Sequence, residues 1–164
     1  MKISAEEVFT IAQRAEENAV RMYRTIADKF PVEKELFIKL AGMEEQHKKT
    51  FIAMQDALDE EDRSTKSPDP FFEMQEHLAA MADTHGGEGR PAEAGHITGN
   101  EKLSEILTRA VELEKNSITF YEDIGKYMQN DSGKERLREI IKEEEDHAKV
   151  LSDLAEKYKG KETQ

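Results

Sequence analysis

The 164-residue sequence has no cysteine and no tryptophan, and only four prolines and nine glycines. Without cysteine there is no disulfide framework and no thiolate-held metal centre, and the absence agrees with a cytosolic compartment. Proline and glycine gather at a few points, Pro31, Pro68 with Pro70, and Gly86 to Gly99, which leaves long stretches free of helix breakers. Basic residues are outnumbered, 24 Lys and Arg against 36 Asp and Glu, for a net charge of −12. Such a surface repels phosphate backbones and anionic membranes, so neither nucleic acid nor membrane is an expected partner. No apolar run approaches the roughly 18 residues that a membrane span requires, and Met1-Lys2-Ile3-Ser4 runs into a helical pattern without a signal-peptide core. A cytosolic location is the expectation. At this length the chain is expected to form one domain, 1–164, with a substantial buried core.

What is present is a duplication. Glu44-Glu45-Gln46-His47 recurs as Glu144-Glu145-Asp146-His147, and each Glu-x-x-His follows a segment with a Glu seven residues before a Tyr, Glu16 to Tyr23 and Glu114 to Tyr121. In so acidic a chain only orientation separates a ligand from a solubilising charge, and orientation follows from period. Phe9, Ala12, Glu16, Ala19, Tyr23, Ile26 and Phe30 step by three or four and form one stripe of a helix. Leu36, Leu40, Met43, Glu44, His47, Phe51, Met54 and Leu58 form a second, with Glu45 and Lys48 outside it. Leu103, Leu107, Ala110, Glu114, Ser117, Tyr121, Ile124 and Met128 form a third, and Leu137, Ile140, Ile141, Glu144, His147, Leu151 and Leu154 a fourth. The reading is all-α: four helices that point polar groups inward.

Burying four carboxylates and two imidazoles uncompensated would cost several kcal/mol per charge, comparable with the whole stability of a domain. Two divalent ions supply the missing positive charge, and a Glu and a His three apart lie on one helix face where they can grip a single ion. Height agrees. Glu16 stands fifteen residues before the turn at Pro31 and Glu44 thirteen after it, so each lies roughly 20 Å from the turn at about 1.5 Å per residue. In the second half the turn falls at Asn130-Asp131-Ser132-Gly133, with Ser132 and Glu135 as a capping box, and Glu114 and Glu144 are again nearly level. The halves are offset by 98 residues at Glu16 and Glu114 and by 100 at Glu44 and Glu144, as a slightly longer second loop would produce.

Glu16, then Glu44 with His47, then Glu114, then Glu144 with His147, on four successive helices, resembles the di-iron site of ferritin-like proteins, and within these the chain is most similar to the rubrerythrins. The resemblance covers about residues 4–58 and 102–157. It implies a ferritin-like antiparallel four-helix bundle of two hairpins, 4–58 and 102–158, joined by a crossover over 59–101. It implies two Fe ions, with Glu44 and Glu144 bridging, Glu16 and Glu114 terminal beside His47 and His147, and Tyr23 and Tyr121 steadying carboxylates by hydrogen bonds. A homodimer is likewise implied. Two departures stand out. Typical rubrerythrins carry a further Glu one turn after the third-helix ligand, where this chain has Ser117, and a cysteine-held iron centre, which is lacking here, so electrons would come from another protein.

His47 and Glu114 are 67 residues apart, long for a link between two hairpins, so an added element is expected. Within it Phe71, Met74, Leu78, Met81 and Ala82 have helical spacing, and a short amphipathic helix is expected over 71–84. His85 to Gly99 reads as a loop, with Asn100 as cap of the third helix. Bland readings suffice for several residues. Glu93-Ala94-Gly95-His96 has the ligand spacing but no apolar stripe, His77 and His85 read as solvated or helix-end residues, and the methionines at 43, 54, 74, 81 and 128 read as core filler.

The function these residues suggest is reduction of H2O2 or O2 at a two-iron site with an external electron-donor protein. Iron oxidation for storage is disfavoured, because nothing specifies a many-subunit shell. Two alternatives are a non-catalytic protein holding Zn, Mn or iron for stability or sensing, and a metal-free bundle that binds partners through its acidic surface. The last would require inward carboxylates protonated or paired with Lys, and no inward Lys is evident.

Overall fold

A computed structural model of the chain describes residues 5–58, 60, 97–128 and 131–162. These residues form four long helices: α1 Ala5–Lys29, α2 Lys34–Asp56, α3 Leu103–Tyr127 and α4 Asp131–Glu162. The chain is an all-α, ferritin-like bundle. Among the described residues no helix is long and apolar enough to cross a membrane. The short helix expected over 71–84 and the loop from His85, with His77 and His96, lie outside the described residues.

Proline punctuates the first hairpin as its chemistry requires. Pro31 disfavours the helical conformation of its predecessor, and Phe30 accordingly leaves the helix at φ −124, ψ 78 while its own N–H still donates to the Ile26 carbonyl at 2.8 Å. A 3-10 turn, Pro31–Glu33, then starts α2. Two expected caps differ from the structure. Asn100 does not cap α3; Lys102 precedes the helix in extended conformation, and the Glu101 carboxylate instead accepts the N–H groups of Thr98 and Gly99, both at 2.8 Å. Ser132 lies within the first turn of α4, and Glu135 pairs with Arg138 at 2.7 Å rather than closing a capping box. Local carboxylate pairings outcompeted the sequence pattern at both ends.

The core has two apolar clusters, one at each end of the bundle. One joins Val8, Phe9 and Ala12 of α1 to Phe51 and Met54 of α2, Phe120 and Tyr121 of α3, and Leu137 and Ile140 of α4. The other joins Tyr23, Ile26 and Phe30 to Phe37, Leu40, Ile106, Leu107 and Leu151. Hence α2 and α3 both run from the second cluster toward the first, while α1 and α4 run the opposite way. The crossover leaves α2 at one end of the bundle, and Ile97 rejoins the core at the other, beside Ala27 and Phe30. The link must therefore travel the whole bundle, about 34 Å for a helix of this length at 1.5 Å per residue.

Each fully buried large side chain stabilises the fold by about 1.5–3 kcal/mol relative to exposure. Phe51, with no exposed surface, packs against Phe9 at 6.4 Å and Tyr121 at 5.0 Å between ring centroids. Phe51→Ala is expected to lower stability by about 3–5 kcal/mol in urea unfolding, whereas a loss under about 1 kcal/mol would contradict this packing.

Candidate metal centre

Between the two apolar clusters lies a layer that is not apolar. α1 contributes Glu16, α2 Glu44 and His47, α3 Glu114, and α4 Glu144 and His147, each no more than 4% exposed. All six sequence-predicted residues meet there. They form two overlapping groups, Glu16, Glu44, His47 and Glu144, and Glu44, Glu114, Glu144 and His147, in each of which the ligand atoms lie within 4.8 Å of one another. Glu44 and Glu144 belong to both. His47 Nδ1 is 3.1 Å from Glu44 Oε2, 3.2 Å from Glu144 Oε1 and 3.8 Å from Glu16 Oε1. His147 Nδ1 is 3.0 Å from an oxygen of each of Glu44 and Glu144 and 3.9 Å from Glu114 Oε1. The imidazoles face each other at 5.9 Å between centroids. The duplicated sequence has become a near-symmetric cluster.

Two tyrosines cross between the hairpins. Tyr23 of α1 donates its hydroxyl to Glu114 Oε1 of α3, and Tyr121 of α3 donates to Glu16 Oε1 of α1 at 2.5 Å. Each tyrosine steadies the carboxylate of the other half. Burial and the surrounding carboxylates push both phenols well above their ordinary range, so both stay protonated as donors. Glu45 and Lys48 lie outside this layer, as expected, and pair at the surface with Arg24 at 3.2 Å and Glu17 at 3.4 Å.

The charge burial shows in the titration of the ligands. Burial first, then the charge of Glu144, pushes Glu16 well above the carboxylate range. Glu114 is raised in the same way by burial, Glu144 and Glu44. Burial opposes ionisation of Glu44 as well, but the polar contacts with His147, His47 and Glu16 prevail and bring it down to about 2. Burial would also lower both histidines, yet contacts with Glu144, Glu16 and Glu44 raise His47 far above its usual value, and contacts with Glu144 and Glu44 raise His147 to about 9. Protons thus stand where positive charge is needed.

Among the described residues two buried side-chain atoms remain without a hydrogen bond, Glu44 Oε1 and His147 Nε2. Glu44 Oε1 lies 3.0 Å from His147 Nδ1 but without the alignment of a hydrogen bond. The equivalent nitrogen of His47 has a partner that the sequence reading missed: Nε2 is 2.7 Å from Oε2 of Glu143, whose side chain is 51% exposed. Glu143 falls outside the apolar stripe of α4, so periodicity could not find it. The available signal was a mismatch between the repeats, where Glu143 precedes Glu144 but Met43 precedes Glu44.

Four long helices enclosing a buried layer of carboxylates and imidazoles define a ferritin-like bundle with a site suited to cations. A family profile for rubrerythrin matches residues 7–155, and the chain belongs to the rubrerythrin family. Among solved structures it is similar in fold to a Thermotoga maritima protein described as a ferritin-like diiron-carboxylate protein, at a TM-score of 0.71 and 22% identity over 95% of this chain and 97% of that one. None of the curated proteins matches the sequence.

Four of the ligands hold protons in the folded, metal-free chain that they would release on unfolding, where Glu titrates near 4.5 and His near 6.5. Their stabilisation is complete below those values and is lost as pH rises through the folded ones, about 9 for His147. Glu44 acts in the opposite sense, its contribution present above 4.5 and lost as pH falls toward 2. The melting temperature of the metal-free chain is expected to fall from about pH 5 to about pH 9, and excess Zn(II) should remove that decline because metal displaces the same protons. A metal-free profile that stays flat or rises over this interval would contradict the assignment.

Proposed function

We propose that the six side chains hold two divalent ions, iron in the working protein. His47 and Glu16 serve one ion, His147 and Glu114 the other, and Glu44 and Glu144 lie between both. The supporting observation is the pair of four-ligand groups that share Glu44 and Glu144. Glu44 Oε1 fits this reading: buried and outside any aligned hydrogen bond, it faces the protonated His147 imidazole at 3.0 Å, where a cation would take the place of that proton. So does the donor set, since mixed carboxylate oxygen and imidazole nitrogen suit iron, and also manganese and zinc.

When bound, a pair of Fe(II) ions supplies two electrons to H2O2 or O2, one from each ion. The chain's own residues prepare that chemistry. The Tyr23 and Tyr121 hydroxyls fix the orientation of Glu114 and Glu16, so that carboxylates needed on Fe(III) do not swing away. The apolar clusters on either side keep bulk water from the layer and strengthen every interaction within it. Electrons to restore Fe(II) would come from an external donor protein.

Ser117 favours a second reading. It is buried one turn beyond Glu114, at the position where typical rubrerythrins have a further Glu, and offers no carboxylate to either group. A site lacking that ligand could hold Zn, Mn or iron for stability or sensing without turnover.

An anaerobic Fe(II) titration of the metal-stripped chain, followed by stoichiometric H2O2, separates the two. The redox reading expects two irons per chain and rapid growth of ferric absorbance, abolished in Glu144→Ala. Tight Zn binding with iron that does not oxidise would leave only the structural or sensing role.

A further inference from the structure

Resting on the two-ion reading, the structure assigns to Glu143 the role of a positioning residue that makes the two metal positions unequal, with the His47 position the tighter. Both histidines turn Nδ1 toward the carboxylates. A neutral imidazole that ligates through Nδ1 carries its proton on Nε2, and the acceptor of that proton fixes the tautomer, holds the ring plane and raises the basicity of the ligating nitrogen. At His47 the acceptor is the Glu143 carboxylate at 2.7 Å, reaching from α4 across to α2. At His147 the same nitrogen is buried and has no hydrogen-bond partner among the described residues.

The asymmetry is written in the duplication. Glu143 immediately precedes the α4 ligand Glu144 and serves the histidine of α2. The internal symmetry makes Met43, immediately before the α2 ligand Glu44, the position from which a carboxylate would serve the histidine of α4. A thioether there supplies neither the charge nor a strong acceptor. The other ligands are closely matched, with the terminal glutamates at 3.8 and 3.9 Å from their histidines. The difference therefore concentrates on one hydrogen bond. Loss of such an outer partner typically weakens metal binding by about 10–100-fold.

The test is an anaerobic calorimetric titration with Co(II), with d–d absorbance as a second readout. The parent should bind two ions in steps separated by roughly 10–100-fold in Kd. The tight step should survive His147→Ala and vanish in His47→Ala. Glu143→Ala should weaken the tight step by about the same factor, and Glu143→Gln, which keeps an acceptor oxygen, should recover part of it. Met43→Glu should tighten the weak step and leave the strong one in place. Glu143 is half exposed, so its replacement is compatible with folding, and a cooperative melting transition with helical content like the parent's in the metal-free variant verifies this. Two equal steps in the parent, or steps indifferent to Glu143→Ala, overturn the inference while leaving the two-ion site intact. A parent that binds no Co(II) at the six ligands overturns both.

Discussion

Four carboxylates and two imidazoles stand in the middle of a hydrophobic core, and the rest of the structure is arranged around the need to balance their charge. A lone buried carboxylate would be worth more in destabilisation than several packed side chains contribute. In the chain alone the balance comes from protons on Glu16, Glu114, His47 and His147 and from two phenolic hydroxyls. Protons placed so are a provisional counter-charge. Under the proposed function, two divalent ions would provide the same compensation at Glu44 and Glu144 without holding four acids and bases away from their ordinary states.

That constraint accounts for the form of the scaffold. A charged layer is tolerable only if strong packing brackets it, and the two apolar clusters do so at either end. Long helices place ligands at one height from four directions, and side-chain positions on a helix are held more firmly than on loops. The crossed hydrogen bonds, Tyr23 to Glu114 and Tyr121 to Glu16, tie each hairpin to the ligand of the other, so that assembly of the bundle and assembly of the site are one event.

That these six residues come together was legible in the sequence because each interrupts an apolar stripe of period near 3.6 and because the pattern occurs twice. Pro31 was legible because its backbone chemistry leaves one outcome. Partners across the bundle were harder. The sequence suggested that the tyrosines hold carboxylates, but only packing reveals that each reaches the opposite hairpin. Glu143 was invisible to a search for inward residues, since it lies on the outer side of its helix and touches His47 only because α2 and α4 are adjacent. The expected caps at Asn100 and Ser132 are not the ones formed: the Glu101 carboxylate takes the N–H groups of Thr98 and Gly99, and Ser132 already lies inside α4.

In the proposed site Glu44 and Glu144 are shared by two ions, each also held by one histidine through Nδ1. Anomalous diffraction at the iron edge, from crystals grown with Fe(II) under anaerobic conditions, tests it most directly. The account predicts two peaks of comparable height, one beside His47 Nδ1 and Glu16, the other beside His147 Nδ1 and Glu114, with the carboxylates of Glu44 and Glu144 reaching both. A single peak on the pseudo-symmetry axis, or none within reach of the six side chains, would contradict it.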